Sequence, residues 1–210
     1  MFSTYFTMSY ITTDTLFTLY NNVLKPGAHE HHSTALVTHI INKIEFHYEK
    51  FVNTAESPPT VRQDGSLRRA DVRIATLYLT QHNLRIILIC EVKPASSSVY
   101  TVESEVQEGC QICVTADKED VWGLTVHGTK WKIINYTKQN RLNEITGFID
   151  VGSPEAQHLR NAFAIMRKQF EHIQYVSFLP ETDLAHCIVG HNLYSSLFLA
   201  LPLQTMAGIL

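Results

Sequence analysis

Asp71 and the run Ile89-Cys90-Glu91-Val92-Lys93 are the residues whose types and spacing could do chemistry. Glu91 and Lys93 stand two apart behind an apolar, β-branched stretch, so on a strand they face one side. Desolvating two charges on a strand face is costly unless they are paired or put to use. Two carboxylates and a lysine gathered at one place suit metal-dependent hydrolysis of a phosphodiester. Asp71 and Glu91 could share Mg²⁺ (or Mn²⁺), because Mg²⁺ keeps several waters and takes one or two protein carboxylates beside substrate phosphate. The Val92 carbonyl offers a further oxygen. Such a metal lowers the pKa of a bound water and neutralises charge on the scissile phosphate. Lys93 would orient or help deprotonate that water, or stabilise the transition state. A cross-strand salt bridge on a solvated face is the plain alternative, and on these three residues alone it has an equal claim.

A hairpin must bring Asp71 to the other two. Val72, Ile74, Leu77 and Leu79 read as one strand, Gln81-His82-Asn83 as a turn and Leu84 to Lys93 as the next strand. A turn centred on His82 pairs residues whose numbers sum to about 164, so Asp71 faces Lys93 and Arg73 faces Glu91, within a residue or two. Opposed side chains on such a ladder lie about 5 Å apart and diagonal ones about 7 Å apart. The second strand is apolar throughout Ile86 to Cys90, which places it centrally in its sheet.

The flanking elements read as follows. Thr13 to Leu24 is a helix with Leu16, Leu19, Tyr20 and Val23 on one face, ended by Lys25-Pro26-Gly27. A second helix runs from about His29 to Phe51 with Leu36, Ile40, Ile44 and His47 or Tyr48 as its stripe. Val102 to Thr115 is a helix weakened by Gly109. Val121 to Val126 and Lys130 to Thr137 form a second hairpin around His127-Gly128-Thr129. Ser153-Pro154-Glu155 starts a helix that reaches about Gln174, and a last helix spans about Ala185 to Thr205. Helices on either side of strand pairs make an α/β domain with a mixed central sheet. The 210 residues fit a single domain, with a core at about 29–140 and helical additions at both ends.

On these residues the chain resembles the PD-(D/E)xK nuclease superfamily, the restriction-endonuclease-like fold. The match is Asp71, then Glu91-Val92-Lys93 closing an apolar strand, then a helix. It is most similar to the nuclease-like domains widespread in fungal proteins, where a Gln-bearing helix and a Gly-x-x-Thr-x-Gly-x-x-Trp hairpin follow. Here the helix offers Glu105, Gln107 and Gln111, and the hairpin reads Trp122-Gly123-Leu124-Thr125-Val126-His127-Gly128-Thr129-Lys130-Trp131. The resemblance covers about Glu30 to Tyr136. It implies that Asp71 and Glu91 bind metal, that Lys93 is catalytic, and that Gln107 or Gln111 contacts substrate or metal-bound water. It also implies an acid on the helix before the first hairpin; Glu30 is the choice, ahead of Glu45 and Glu49. Ala70 stands where the family has Pro, which shapes only the backbone. Many members of the superfamily lack cleavage, so a non-catalytic binding module is the competing expectation.

Composition bounds the partners. With 45% hydrophobic and 18% charged residues the chain is an ordinary globular protein, and a net charge of −3 gives no global footprint for nucleic acid. Val61 to Lys93 is locally basic: Arg62, Arg68, Arg69, Arg73, Arg85 and Lys93 oppose Asp64, Asp71 and Glu91. Arg69 and Arg73 are therefore expected to contact the substrate, DNA before RNA. Four cysteines and no secretory pattern at Met1 to Tyr10 fit an intracellular protein, nuclear or cytoplasmic. The apolar stretch Leu193 to Leu210 is broken by Ser195-Ser196, Pro202 and Gln204, so no membrane span is expected. A homodimer is compatible with this reading. Cys110 and Cys113, with His186, Cys187 and His191, could form a zinc site, but buried thiols are the better reading. His29, His31 and His32 are polar residues expected at a helix start.

Overall fold

A computed structural model describes residues 9–47, 51–57, 70–78 and 83–176, and every statement below concerns these. The chain divides into two compact units, Met1–Gln169 and Phe170–Leu210. The sheet and the candidate site belong to the first. Of the second, only the end of one helix, as far as Val176, is described. The turn at 79–82 and the expected last helix lie outside the described residues.

Helix α1, Asp14–Leu24, starts where Thr13 accepts a hydrogen bond from the Leu16 amide at 3.3 Å. Helix α2, Glu30–Ile40, is shorter than its apolar stripe suggested. A π-helical turn, Ile41–Glu45, replaces its continuation, closed by the Phe46 amide on the Ile41 carbonyl at 2.8 Å. Strand β1, Phe51–Ser57, stands where sequence reasoning ended the helix. Then come β2 (Ala70–Tyr78), β3 (Asn83–Lys93), α3 (Val99–Asp117), β4 (Val121–His127) and β5 (Lys130–Tyr136). Two short strands, β6 (Leu142–Glu144) and β7 (Ile149–Asp150), both pair with β5, and α4 runs over Ala156–Val176.

The sheet order is β1-β2-β3-β4-β5-β6. All neighbours are antiparallel except β3 and β4, which run parallel with α3 as the crossover. The fold is therefore α/β with a mixed sheet, as expected. Strand β3 is central: Ile87, Leu88, Ile89 and Cys90 are fully buried.

One face of the sheet carries α3. Ile86 and Ile89 of β3 pack with Val106, Cys110, Cys113 and Val114 of α3 and with Ile134 of β5. Gly123 permits this approach, since a Cβ there would lie 2.5 Å from Val106 Cγ1. Leucine and tryptophan residues occupy the other face. Trp122 donates to Gln169 of α4 at 3.0 Å, and Trp131 lies beside Tyr10, whose ring Arg160 of α4 covers at 4.0 Å. Phe46, at the end of the π turn, meets Phe163 of α4 edge-on at 5.9 Å.

Candidate functional site

The apolar run of β3 ends in Glu91 and Lys93 at one end of the sheet. Glu91 follows Ile89 by two residues, which puts it on the side occupied by α3. Its residue is 3% exposed, an unusual degree of burial for a carboxylate. Beside it in the parallel ladder is Thr125 of β4, and Lys132 of β5 follows in the same row. Lys93 occupies the next position out, beside His127.

Two helices reach Lys93 from different directions. Its Nζ lies 3.3 Å from Oε2 of Glu105 on α3 and 3.7 Å from Oε2 of Glu30 at the start of α2. The site is thus drawn from three elements that are far apart in sequence. Glu30 had been selected by resemblance alone, and it stands next to Lys93. On α3 the residue that reaches Lys93 is Glu105, whereas Gln107 and Gln111 are exposed. The phase of the helix causes this. Val102, Val106, Cys110 and Cys113 are fully buried, which leaves Glu105 on the flank toward β3 and turns Gln107 and Gln111 to solvent. Glu103 takes the opposite flank and pairs with Lys132 at 2.9 Å; Lys132 also pairs with Glu144 of β6 at 2.8 Å. Burial pulls the Lys132 pKa down, but the hydrogen bonds it donates to Glu144 and Glu103 outweigh this and hold the pKa above the ordinary lysine value.

The backbone of β2 fixes the position of Asp71. Val72 pairs with Cys90, Arg73 with Ile89 and Ile74 with Leu88. Continued by one residue, this register sets Asp71 opposite Glu91. The sum of paired numbers is therefore two lower than the turn at His82 suggested, and Arg73 stands opposite Ile89, not Glu91. A register irregularity between Ile74 and Ala75 shifts the rest of the hairpin by one further residue. Arg69 lies outside the described residues.

The second hairpin closes the site from the β4 side. Gly128, at φ 63°, donates its amide to the Lys93 carbonyl at 2.9 Å. His127 Nε2 lies 2.9 Å from the Ser97 carbonyl in the loop before α3. Val92 pairs with Val126 in the ladder.

Among the described side chains no group of three His, Cys, Asp or Glu residues is arranged around one metal position. Glu91, Glu30 and Glu105 are among these side chains, and the Asp71 carboxylate is not. The carboxylates paired with Lys93 are oxygen ligands, of the kind that suits Mg²⁺ or Mn²⁺ and not a thiophilic metal. Cys110 and Cys113 are fully buried in the α3 core cluster. Burial first, then Cys113 and Glu91 nearby, pushes the Cys110 thiol well above its ordinary pKa, which disfavours the thiolate a metal would require. Glu45, the second candidate acid, ends the π turn and is committed elsewhere: it accepts from Tyr10 Oη at 2.6 Å and forms an ion pair with Arg167.

No family model matches the chain, and no curated protein matches it. Among solved structures, a fragment assigned to an HsdR subunit of a type I restriction enzyme from Vibrio vulnificus aligns with 63% of this chain at 14% identity and a TM-score of 0.38. The aligned part spans 25% of that chain. Among the described residues no helix is long and apolar enough to cross a membrane.

Proposed function

We propose that the chain is a metal-dependent nuclease that hydrolyses phosphodiester bonds in DNA, with RNA as the second substrate class. The observation that carries this reading is the meeting at one sheet end of a buried carboxylate, Glu91, and a lysine bracketed by carboxylates from two helices. A simple surface ion pair needs neither the burial of Glu91 nor the convergence of α2, α3 and β3. The register of β2, which brings Asp71 opposite Glu91, supplies the second acid. The sequence resemblance to PD-(D/E)xK nucleases points the same way.

In this reading Asp71 and Glu91 hold Mg²⁺ or Mn²⁺, with the Val92 carbonyl and Glu30 as further oxygen donors. The metal, when bound, would activate a water and neutralise charge on the scissile phosphate. Lys93 projects its amine beside those carboxylates, where it orients the water or binds a phosphate oxygen. Glu30 and Glu105 keep the amine at the sheet end while the site is empty of substrate. Gln107, Gln111, Arg69 and Arg73 are assigned to contacts farther along the nucleic acid.

A second reading has its own support. Lys93 already lies between two carboxylates, and Glu30, Glu91 and Glu105 outnumber it. A domain that keeps the fold without cleaving would bind its partner elsewhere on its surface. One experiment separates the two. Purified protein with Mg²⁺ or Mn²⁺ should nick supercoiled plasmid or degrade an oligonucleotide, and Glu91→Ala and Lys93→Ala should each abolish this. The nuclease reading is lost if the wild type and both variants behave alike.

A further inference from the structure

We infer that the trough between α1 and α2 is a subsite for single-stranded nucleic acid that leads into the Lys93 cluster; this rests on the nuclease reading. The trough is a cavity of about 730 Å³ walled by α2 and the π turn on one side and by Thr15 and Leu19 of α1 on the other. Its wall on α2 is a ladder of residues four apart: Glu30, Thr34, Thr38 and Asn42. His31, Ala35, His39 and Lys43 form a parallel row with the same spacing. Residues four apart lie one above another on a helix, so the two rows run the length of the trough. Twelve residues of helix span about 18 Å, enough for roughly three to five nucleotides of a single strand.

Four observations together distinguish this cleft from an ordinary solvated helix face. First, it adjoins the candidate site at Glu30, which both lines it and stands 3.7 Å from Lys93 Nζ. Second, its volume falls in the range of ligand sites, about 300–1,000 Å³, and is far too small for a duplex. Third, the charges are graded. Among the described lining residues Glu30 is the acid, at the Lys93 end, and Lys43 lies at the far end with His39 beside it. Phosphates are favoured at the Lys43 end, and at the Glu30 end they need a cation. Fourth, Asn42 lines the trough from a π turn, an irregularity frequent at functional sites, and its Oδ1 is buried without a hydrogen-bond partner. The neutral hydroxyls of Thr34 and Thr38 complete a surface suited to sugar and base edges, independent of sequence.

The test uses the full chain and a fluorescein-labelled single-stranded hexanucleotide with phosphorothioate linkages, followed by anisotropy in Mg²⁺. Thr38→Trp, which fills the trough, should weaken binding at least tenfold. Lys43→Ala should weaken it severalfold and lower the slope of log affinity against log salt by about one, the mark of one lost phosphate contact. Circular dichroism establishes that both variants fold. If the wild type cleaves nucleic acid but both variants bind the hexanucleotide as it does, the trough assignment is overturned and the nuclease reading stands. If the wild type neither binds nor cleaves, both fall. If Thr38→Trp alters only the oligomeric state, the trough seats a second copy of the chain and the assignment is likewise overturned.

Discussion

Lys93 Nζ and Glu105 Oε2 lie 3.3 Å apart, joining the end of β3 to the flank of α3. Both side chains are partly exposed, so the pair contributes little to folding, about 1 kcal/mol or less. Its value is positional. Glu105→Ala should leave the guanidinium unfolding midpoint nearly unchanged while lowering the rate of Mg²⁺-dependent cleavage more than tenfold through kcat. Glu105→Gln, which keeps the shape and hydrogen bonding, should recover part of that loss. An equal fall in stability for both variants would make the pair a structural tie only.

The charge around Lys93 yields a second prediction. Glu30 and Glu105 flank the Lys93 amine and Glu91 lies two residues before it on the same strand, so the carboxylates outnumber the amine before Asp71 is counted. A polyanion is repelled there unless a divalent cation is bound. Binding of short DNA should therefore be lost in EDTA and restored by Mg²⁺ or Mn²⁺, and not by an equal ionic strength of NaCl. Glu91→Ala, which removes one negative charge, should bind in EDTA better than the wild type while failing to cleave. Tight wild-type binding in EDTA would place the nucleic-acid surface away from Lys93.

Gly128 carries a third prediction. Its positive φ suits glycine, and an added Cβ would lie 2.9 Å from the Cβ of Ala95. The same residue donates its amide to the Lys93 carbonyl. Gly128→Ala combines a left-handed penalty of about 1–2 kcal/mol with a clash against the loop that follows Lys93. A fall of about 2–8 °C in Tm is expected for a domain of this size. Cleavage should decline by more than the fraction unfolded explains, because the end of β3 moves with the loop.

Much of this arrangement was legible in the chain. The apolar run into Glu91-Val92-Lys93 marked the central strand, and Thr13 with Lys25-Pro26-Gly27 marked α1 closely. What escaped depends on packing. Pairing near the site was displaced by two because Tyr78 pairs with Asn83, which centres the hairpin before His82, and the irregularity at Ile74/Ala75 recovers only one residue of that shift. Strand β1 follows a helical stripe without a clear alternation, so the stripe absorbed its first residue, Phe51. Glu105 was one of three α3 residues, with Gln107 and Gln111, that the resemblance offered. The buried row Val102, Val106, Cys110 and Cys113, seated against Gly123, sets the rotation of α3 so that Glu105 reaches Lys93 while Gln107 does not. The trough resembles any polar helix face until α1 stands across from it.

The final prediction concerns pH and the opposite face of the sheet. Burial first, then the Glu45 carboxylate that its hydroxyl touches, raises the Tyr10 pKa far above the ordinary 10.0; Arg160 and Arg167 pull it back only in part. The sign follows from proton counting. Above pH 10 the unfolded chain loses the phenolic proton while the folded chain keeps it, so the folded state binds more protons and stability falls as pH rises. One such tyrosine gives a limiting slope of about 1.4 kcal/mol per pH unit. Tyr20, whose hydroxyl donates to Asp150 at 2.9 Å and whose pKa is raised to about 12, adds a smaller loss between pH 10 and 12 because its shift is smaller and it is only partly buried. Unfolding midpoints in guanidinium should therefore hold steady from pH 7 to 9 and drop from pH 10 upward. Tyr10→Phe removes the titrating group and leaves Glu45 with Arg167 alone, so it should be less stable at pH 8 but show a shallower alkaline decline. Parallel declines in wild type and Tyr10→Phe would mean that the Tyr10–Glu45 contact does not set the alkaline limit.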